Sequence, residues 1–343
     1  MFLTFALMPI VFLTTTHIAA VLTWGSVLPL IGLIIGAGVY YPFVRLSEKL
    51  RRKKQELTLK EMTDLIIADE QNGTSTPLLN RRDRMGAMAK LLAYEIRRAA
   101  ACDSVVMHYH PQMDGRGKIL GAEALLRWEF AGSPVFPPLI LKIAHEDNFY
   151  EELSKGIMRT VCRDTKLIVD ASPNKSLLIS ANISTGELTR FFAAYILSLL
   201  KEYDIKEGNF GLEITETEAL VDSEESLEVI NTFKKKGIPL SIDDFSMGST
   251  SLKYLQNNKF DFVKLDGNLV KSLAVNPRSA DIISSITNLG KTLGFEVVAE
   301  YVENENALFK LSTLGCTVFQ GWYYSRALPP DEFIEYSCEQ TRN

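Results

Sequence analysis

The sequence predicts an α/β fold, an irregular TIM-like (β/α)8 barrel, preceded by a transmembrane helical hairpin. The chain has 343 residues, which leaves room for a barrel of roughly 250 residues beside a second module. Strand-like runs alternate with amphipathic helical stretches in its later part. Its first 44 residues contain no Asp, Glu, Lys or Arg. These observations predict a barrel domain behind a membrane anchor.

Eight runs enriched in β-branched, aromatic and other apolar residues are the predicted barrel strands: 105–111, 119–128, 177–183, 210–215, 240–244, 262–266, 296–300 and 317–323. Between the first two strands there is only a turn around residues 114–117. A parallel crossover needs a dozen or more residues, so this first pair must be antiparallel. The barrel should therefore be irregular at its start.

The charge-free stretch 1–44 is long enough for two membrane spans, since one span needs about 20 apolar residues. The run Trp24-Gly25-Ser26 and the nearby Pro29 offer a turn between the two spans. A cleaved signal peptide is the alternative, but the stretch lacks a basic start and is longer than a usual apolar signal core. We expect a transmembrane helical hairpin.

Six Lys or Arg residues follow between Arg45 and Lys54. By the positive-inside rule they place the next domain in the cytoplasm, on the inner face of the membrane. Contact with anionic lipid and a plain solvated helix face both fit this cluster. Small polar residues at 71–77 indicate a linker. The predicted domains are a membrane hairpin at 1–44, a basic juxtamembrane helix and linker at 45–80, and a barrel at 81–343.

Charge and cysteine content exclude some functions. The chain has 37 Lys and Arg against 42 Asp and Glu, a net charge of -5, and so lacks a general basic surface for polymeric nucleic acid. Its four cysteines are scattered without a Cys-x-x-Cys pair, which favours reduced thiols over a zinc site or a disulfide framework. A small anionic ligand remains compatible with this composition.

Polar residues interrupt the apolar strand patterns, mostly where a strand ends. For any single position, a capped strand end or a surface ion pair is the simpler explanation. A repeated set of carboxylates at strand ends is different, because ionised carboxylates repel one another and need compensating cations. Hard divalent metals are their natural partners. The set is Glu123, Asn182, Glu213, Asp243, Asp244, Lys264, Glu300 and Gln320.

In order along the chain, seven motifs resemble those of the EAL cyclic di-GMP phosphodiesterases, and the resemblance covers residues 81–333. The motifs are Glu123-Ala124-Leu125-Leu126-Arg127-Trp128, Asn182-Ile183-Ser184, Glu213-Ile214-Thr215-Glu216, Asp243-Asp244-Phe245, Lys264-Leu265-Asp266, Ala299-Glu300-Tyr301-Val302-Glu303 and Gln320-Gly321-Trp322-Tyr323-Tyr324.

This resemblance implies hydrolysis of cyclic di-GMP to the linear dinucleotide pGpG in bacterial second-messenger signalling. It implies Mg²⁺ or Mn²⁺ as cofactor, with two ions, and a homodimer formed through the barrel. The implied metal ligands are Glu123, Asn182, Glu213 and Asp243, with Asp244 bridging or binding the second ion; Glu123 also borders the substrate.

The remaining site residues are likewise implied by the resemblance. Lys264 resembles the lysine that orients the attacking water, and Arg127 resembles the arginine that binds phosphate. Glu300 and Gln320 resemble groups that bind the metal and its water. Glu303 resembles the residue that holds the loop after the fifth strand.

Four positions depart from the family pattern: Ser246 and His110 replace a usual Gly and Gln, and Ser249 and Tyr301 replace a usual Tyr and Gly. The altered loop around Ser246 keeps open a second reading, a catalytically weak EAL-fold receptor that relays cyclic di-GMP binding through the membrane anchor. A third reading is a fragment of a sugar permease, because residues 34–43 weakly resemble the last membrane segment of lactose/cellobiose-type phosphotransferase-system permeases.

Overall fold

The computed structural model describes residues 18–215, 224–245, 255 and 260–342, with side chains described from Val44 onward except for Thr215, Asp244 and residues 341–342. The chain divides into two compact units, Met1–Asp64 and Leu65–Asn343. The described part of the first unit is helical. Residues 65–80, which the sequence assigns to a juxtamembrane helix and linker, fall within the second unit.

A single helix, α1, runs from Ile18 to Asn72. It passes without a break through Trp24, Gly25, Ser26 and Pro29, so the hairpin turn predicted there is not found. Turn-forming residues lower helix propensity only locally, and a longer helical context overrides such a weak preference. Within the described part of the chain, no helix has the length and apolarity of a membrane span. The permease-like run 34–43 lies where side chains are not described, and that resemblance stays a prediction.

The second unit contains a closed eight-stranded barrel in the order β1-β10-β9-β8-β7-β6-β5-β2. The barrel strands are β1 (Val106–Asp114), β2 (Ile119–Arg127), β5 (Leu178–Ile183), β6 (Phe210–Thr215), β7 (Leu240–Phe245), β8 (Phe262–Leu265), β9 (Glu296–Ala299) and β10 (Val318–Gln320). A separate small hairpin joins β3 (Glu129–Phe130) and β4 (Ser133–Pro134). All eight predicted barrel strands are confirmed within a few residues at their ends.

Strand β1 is antiparallel to both of its neighbours, β2 and β10, while every other barrel pair is parallel. The turn between β1 and β2 closes because the Asp114 carboxylate accepts the amides of Arg116 and Lys118 at 2.8 and 2.9 Å. Gly117 adopts φ +81° in this turn, a conformation that favours glycine. The predicted irregular start of the barrel is confirmed.

Helices cover the barrel between its strands. They are α2 (Arg84–Ala101), α3 (Pro137–Glu146), α4 (Tyr150–Ala171), α5 (Arg190–Glu202), α6 (Glu224–Lys235), α7 (Gly267–Ser272), α8 (Pro277–Leu293), α9 (Glu305–Thr313) and α10 (Pro330–Arg342). Apolar strand residues such as Ile179, Leu212 and Val263 are fully buried. The barrel interior also buries one lysine, Lys264, which is unusual enough to require charged partners.

The predicted linker at 71–77 begins inside α1, which continues to Asn72; residues 73–77 have no regular secondary structure, but hydrogen bonds hold them in place. The carboxylate of Asp69 accepts the Thr76 amide at 2.6 Å and the Thr74 hydroxyl at 2.8 Å. The carboxylate of Glu146, at the end of α3, accepts the Leu78 amide at 2.8 Å. These bonds tie the last turn of α1 and the segment after it to the barrel domain.

Candidate active site

The barrel strands bring the predicted residues together at one end. Asn182, Glu213, Asp243 and Lys264 lie near the carboxyl ends of β5 to β8, where barrels of this type place their sites. Glu300 directly follows β9. A cavity of about 640 Å³ opens at this end, and the predicted residues lining it are Glu123, Arg127, Asp243, Lys264, Glu300, Glu303 and Gln320.

Lys264 is the centre of the cluster. Its Nζ lies 3.1 Å from a Glu123 oxygen and 2.5 Å from a Glu213 oxygen. The same nitrogen lies 2.9 Å from Asp243 Oδ1 and 3.0 Å from Glu300 Oε1. The Lys264 side chain is only 1% exposed. One buried ammonium therefore compensates four carboxylates, and the cluster carries an excess of negative charge when all four are ionised.

Burial and the neighbouring groups shift the pKa values of the carboxylates in opposite directions. Burial raises the pKa of Glu213 to about 8 and that of Glu300 to about 7, against the lowering effect of Lys264. For Glu123, burial is outweighed by Lys264 and by hydrogen bonds from Asn182 and Gln320, so its pKa is lowered. Burial alone would lower the pKa of Lys264, but the surrounding carboxylates raise it well above its usual value. Lys264 is therefore a fixed cation.

Hydrogen bonds orient the carboxylates. Asn182 Nδ2 donates to Glu123 Oε1 at 2.8 Å, and Gln320 Nε2 donates to Glu123 Oε2 at 2.7 Å. The Ser180 hydroxyl donates to Glu213 Oε1. Gln112 Nε2 donates to Gln320 Oε1 at 3.0 Å. Every one of these groups sits on a barrel strand, so the frame that holds the carboxylates is rigid.

Sequence reasoning missed Ser180 and Gln112. Ser180 is a small polar residue within the apolar run of β5, and this break in the pattern could have indicated an inward-facing polar group. Gln112 lies just beyond the predicted end of the first strand at residue 111, whereas β1 continues to Asp114. Its inward position became visible only with the true length of the strand.

His110, one of the departures from the family pattern, joins the same network. Its Nε2 lies 3.1 Å from the Ser325 carbonyl oxygen, an acceptor, so Nε2 carries the hydrogen. Its Nδ1 then accepts from Gln320 Nε2 at 3.2 Å. Burial lowers the pKa of His110, against the raising effect of Glu123. A neutral imidazole with this tautomer fits the network.

The donor set fits a divalent cation. Oxygens of Glu123, Glu213 and Asp243 lie within 4.8 Å of one another. The buried Oδ1 of Asn182 has no hydrogen-bond partner among the described residues, although its own Nδ2 is bonded to Glu123. A buried acceptor without a donor is costly, and metal coordination would satisfy it. Carboxylate and amide oxygens suit hard cations such as Mg²⁺ and Mn²⁺.

For the other predicted residues, the structure describes only part of the side chains or their contacts. The side chain of Asp244 and residues Ser246 and Ser249 lie outside the described residues. Arg127 is half-buried at the cavity wall, where one of its nitrogens donates to the Leu126 carbonyl at 2.9 Å. Glu303 is exposed and also lines the cavity, but the loop that it is expected to hold is not described. The roles of Asp244 and Glu303 stay predictions.

Replacing Lys264 with Met should destabilise the fold strongly, because it leaves four carboxylates without their buried cation. Removing one partner of a buried charge cluster typically costs about 3–5 kcal/mol. Urea unfolding followed by circular dichroism measures this loss. Lys166→Met is the matched control: Lys166 is 36% exposed in its 3.2 Å pair with Asp170, and its loss should cost about 1 kcal/mol or less. Equal losses in the two variants would contradict the central role of Lys264.

Comparisons with known proteins identify the family of the chain. The family model described as the EAL domain matches residues 93–327. The cyclic di-GMP phosphodiesterase RocR of Pseudomonas aeruginosa is 30% identical over 233 residues, which cover 67% of this chain and 59% of that protein. The probable cyclic di-GMP phosphodiesterase PdeB of Escherichia coli is 31% identical over 236 residues, which cover 68% of this chain and 44% of that protein.

The bifunctional diguanylate cyclase/cyclic di-GMP phosphodiesterase MucR of Pseudomonas aeruginosa is 29% identical over 246 residues, but the match spans only 36% of its length. A solved structure of the PaMucR phosphodiesterase in complex with c-di-GMP covers 71% of this chain and 99% of that one, at 29% identity and a TM-score of 0.66. Both sequence and fold lead to one assignment. The chain belongs to the EAL domain family.

Proposed function

We propose that this chain is a metal-dependent phosphodiesterase that hydrolyses cyclic di-GMP to the linear dinucleotide pGpG. The observation that carries the proposal is the buried cluster of four carboxylates around Lys264, open to a cavity that Arg127 also lines. Relatives named as cyclic di-GMP phosphodiesterases and the PaMucR complex support the choice of substrate.

The residues that would hold Mg²⁺ or Mn²⁺ are Glu123, Asn182, Glu213 and Asp243, with Asp244 added by the family resemblance. Divalent ions held there, two by that resemblance, would make water a better nucleophile and would stabilise negative charge on phosphoryl oxygens. Lys264 cannot act as a base while its pKa is raised by its carboxylate partners. Its Nζ can instead donate hydrogen bonds that orient water or a phosphate oxygen.

Two further groups complete the proposed chemistry. Glu300, whose carboxyl has a pKa of about 7, can hold or release a proton at the cavity wall near neutral pH. Arg127 shares the inward face of β2 with Glu123, because strand residues four apart point the same way. Its guanidinium can pair with a substrate phosphate while Glu123 remains at the metal site.

Replacing Glu123 with Ala should lower hydrolysis by orders of magnitude and retain part of the nucleotide affinity, because it removes a metal ligand. Replacing Arg127 with Ala should mainly raise KM, since a phosphate contact also forms in the ground state. Chromatography of the products and calorimetric binding measure these effects on the full chain with Mg²⁺ or Mn²⁺. Excess chelator should stop turnover.

The unmodified chain decides between enzyme and receptor in the same experiment. Tight binding of cyclic di-GMP without linear product, with either metal, would refute the enzyme and leave the catalytically weak receptor. Undiminished hydrolysis in excess chelator would remove the metal from the mechanism.

We further propose that residues 1–44 attach the chain to the bacterial cytoplasmic membrane, with the barrel in the cytoplasm. The support is the charge-free composition of this stretch and the six basic residues that follow it. In cell fractionation, the intact chain should sediment with membranes and resist high salt, because apolar attachment is not screened. A chain lacking residues 1–44 should stay in the supernatant. Release of the uncleaved chain by salt alone would contradict the proposal.

The homodimer formed through the barrel stays a prediction from the family resemblance.

A further inference from the structure

Tyr301 has a strained backbone at the edge of the site. It directly follows Glu300 and adopts φ +54°, a left-handed conformation that a bulky side chain rarely takes. The matching position in the family motif is usually Gly, which has no such penalty. Strain of this kind persists where the surrounding structure imposes it, and it is concentrated at functional sites. The position of the Tyr301 ring therefore needs an explanation.

Two residues of α7 hold the ring. The Nζ of Lys271 lies over it, 3.8 Å from the ring centroid. Gly267 lies so close that a Cβ at this position would be 2.2 Å from Tyr301 Cε2. Gly267 and Lys271 are four residues apart and share one helix face. The ring therefore packs against that face of α7. Tyr301 is nevertheless 48% exposed.

This aromatic surface borders the cavity of the catalytic cluster. Tyr301 lines the 640 Å³ cavity together with Lys264 and Glu300. It also lines a neighbouring cavity of about 270 Å³, to which Lys271 and Glu303 contribute as well. The ring is thus part of the wall between the two cavities. A ligand whose phosphodiester lies at Lys264 would extend its attached groups toward such a wall.

We propose that Tyr301, which is partly exposed and lines the cavity, stacks its ring on one purine base of the cyclic dinucleotide, with Lys271 and Gly267 fixing the ring in place. This inference rests on the proposed function, since it takes the substrate from there. Planar bases stack on aromatic side chains, and these contacts contribute to affinity without contacting the reacting phosphate. Tyr301 therefore determines substrate binding and not the chemical step.

Two substitutions at Tyr301 separate stacking from backbone effects. Tyr301→Asn removes the ring but tolerates the left-handed backbone. It should weaken binding of cyclic di-GMP, and raise KM, by on the order of tenfold, with a much smaller change in kcat. Tyr301→Phe keeps the ring and should lose less affinity than Tyr301→Asn. Calorimetric titration of the full chain and steady-state kinetics measure both quantities. Thermal unfolding of Tyr301→Asn should show no loss of stability.

The matched control is Phe309→Ala. Phe309 is a 71% exposed aromatic residue on α9 that does not line the cavity, and its removal should leave affinity and KM unchanged. Affinity equal to that of the unmodified chain in Tyr301→Asn would overturn the stacking role. So would a loss confined to kcat, or equal losses in the Asn and Phe variants. The proposed function fails separately, when the unmodified chain yields no linear product.

Discussion

A single buried ammonium group organises the end of this barrel where the carboxylates meet. Lys264 contacts the carboxylates of Glu123, Glu213, Asp243 and Glu300, and these five groups belong to β2 and to the ends of four successive strands. Burying so many charges is favourable only when each has partners. The barrel supplies them through strand-borne amides and a serine hydroxyl. Register along the strands therefore matters for charge balance as well as for packing.

The charges of the cluster do not balance, and this imbalance fits the binding of a metal ion. One lysine does not neutralise four carboxylates, and Asn182 retains a buried oxygen without a donor among the described residues. Both features indicate a missing positive charge with affinity for oxygen. A divalent cation would supply this charge, and it would also help to hold the phosphodiester that we propose as the substrate. The stability of the cluster and the proposed hydrolysis would thus depend on the same excess of negative charge.

Much of the barrel was predictable from sequence, because apolar strands bounded by turn residues carry a strong local signal. The antiparallel start followed from the short turn at residues 114–117, and the strand-end position of Glu213 or Lys264 followed from the strand boundaries. The central position of Lys264 among the carboxylates was not predictable from pattern, since it depends on which strands are neighbours. The prediction of a turn at residues 24–29 was wrong, because the weak helix propensity of a few residues is overridden by the helical segments on both sides. The packing of the Tyr301 ring against α7 was not predictable from sequence, because it depends on how two separate segments meet in the folded chain.

Direct binding of Mn²⁺ tests the electrostatic account most closely. Calorimetric titration of Mn²⁺ into the unmodified full chain should show saturable binding, and Asp243→Asn should weaken it by at least about tenfold, because the substitution removes a charged ligand and keeps the side-chain shape. Mn²⁺ affinity that is the same in both proteins would contradict the claim that the carboxylate cluster around Lys264 is a metal site.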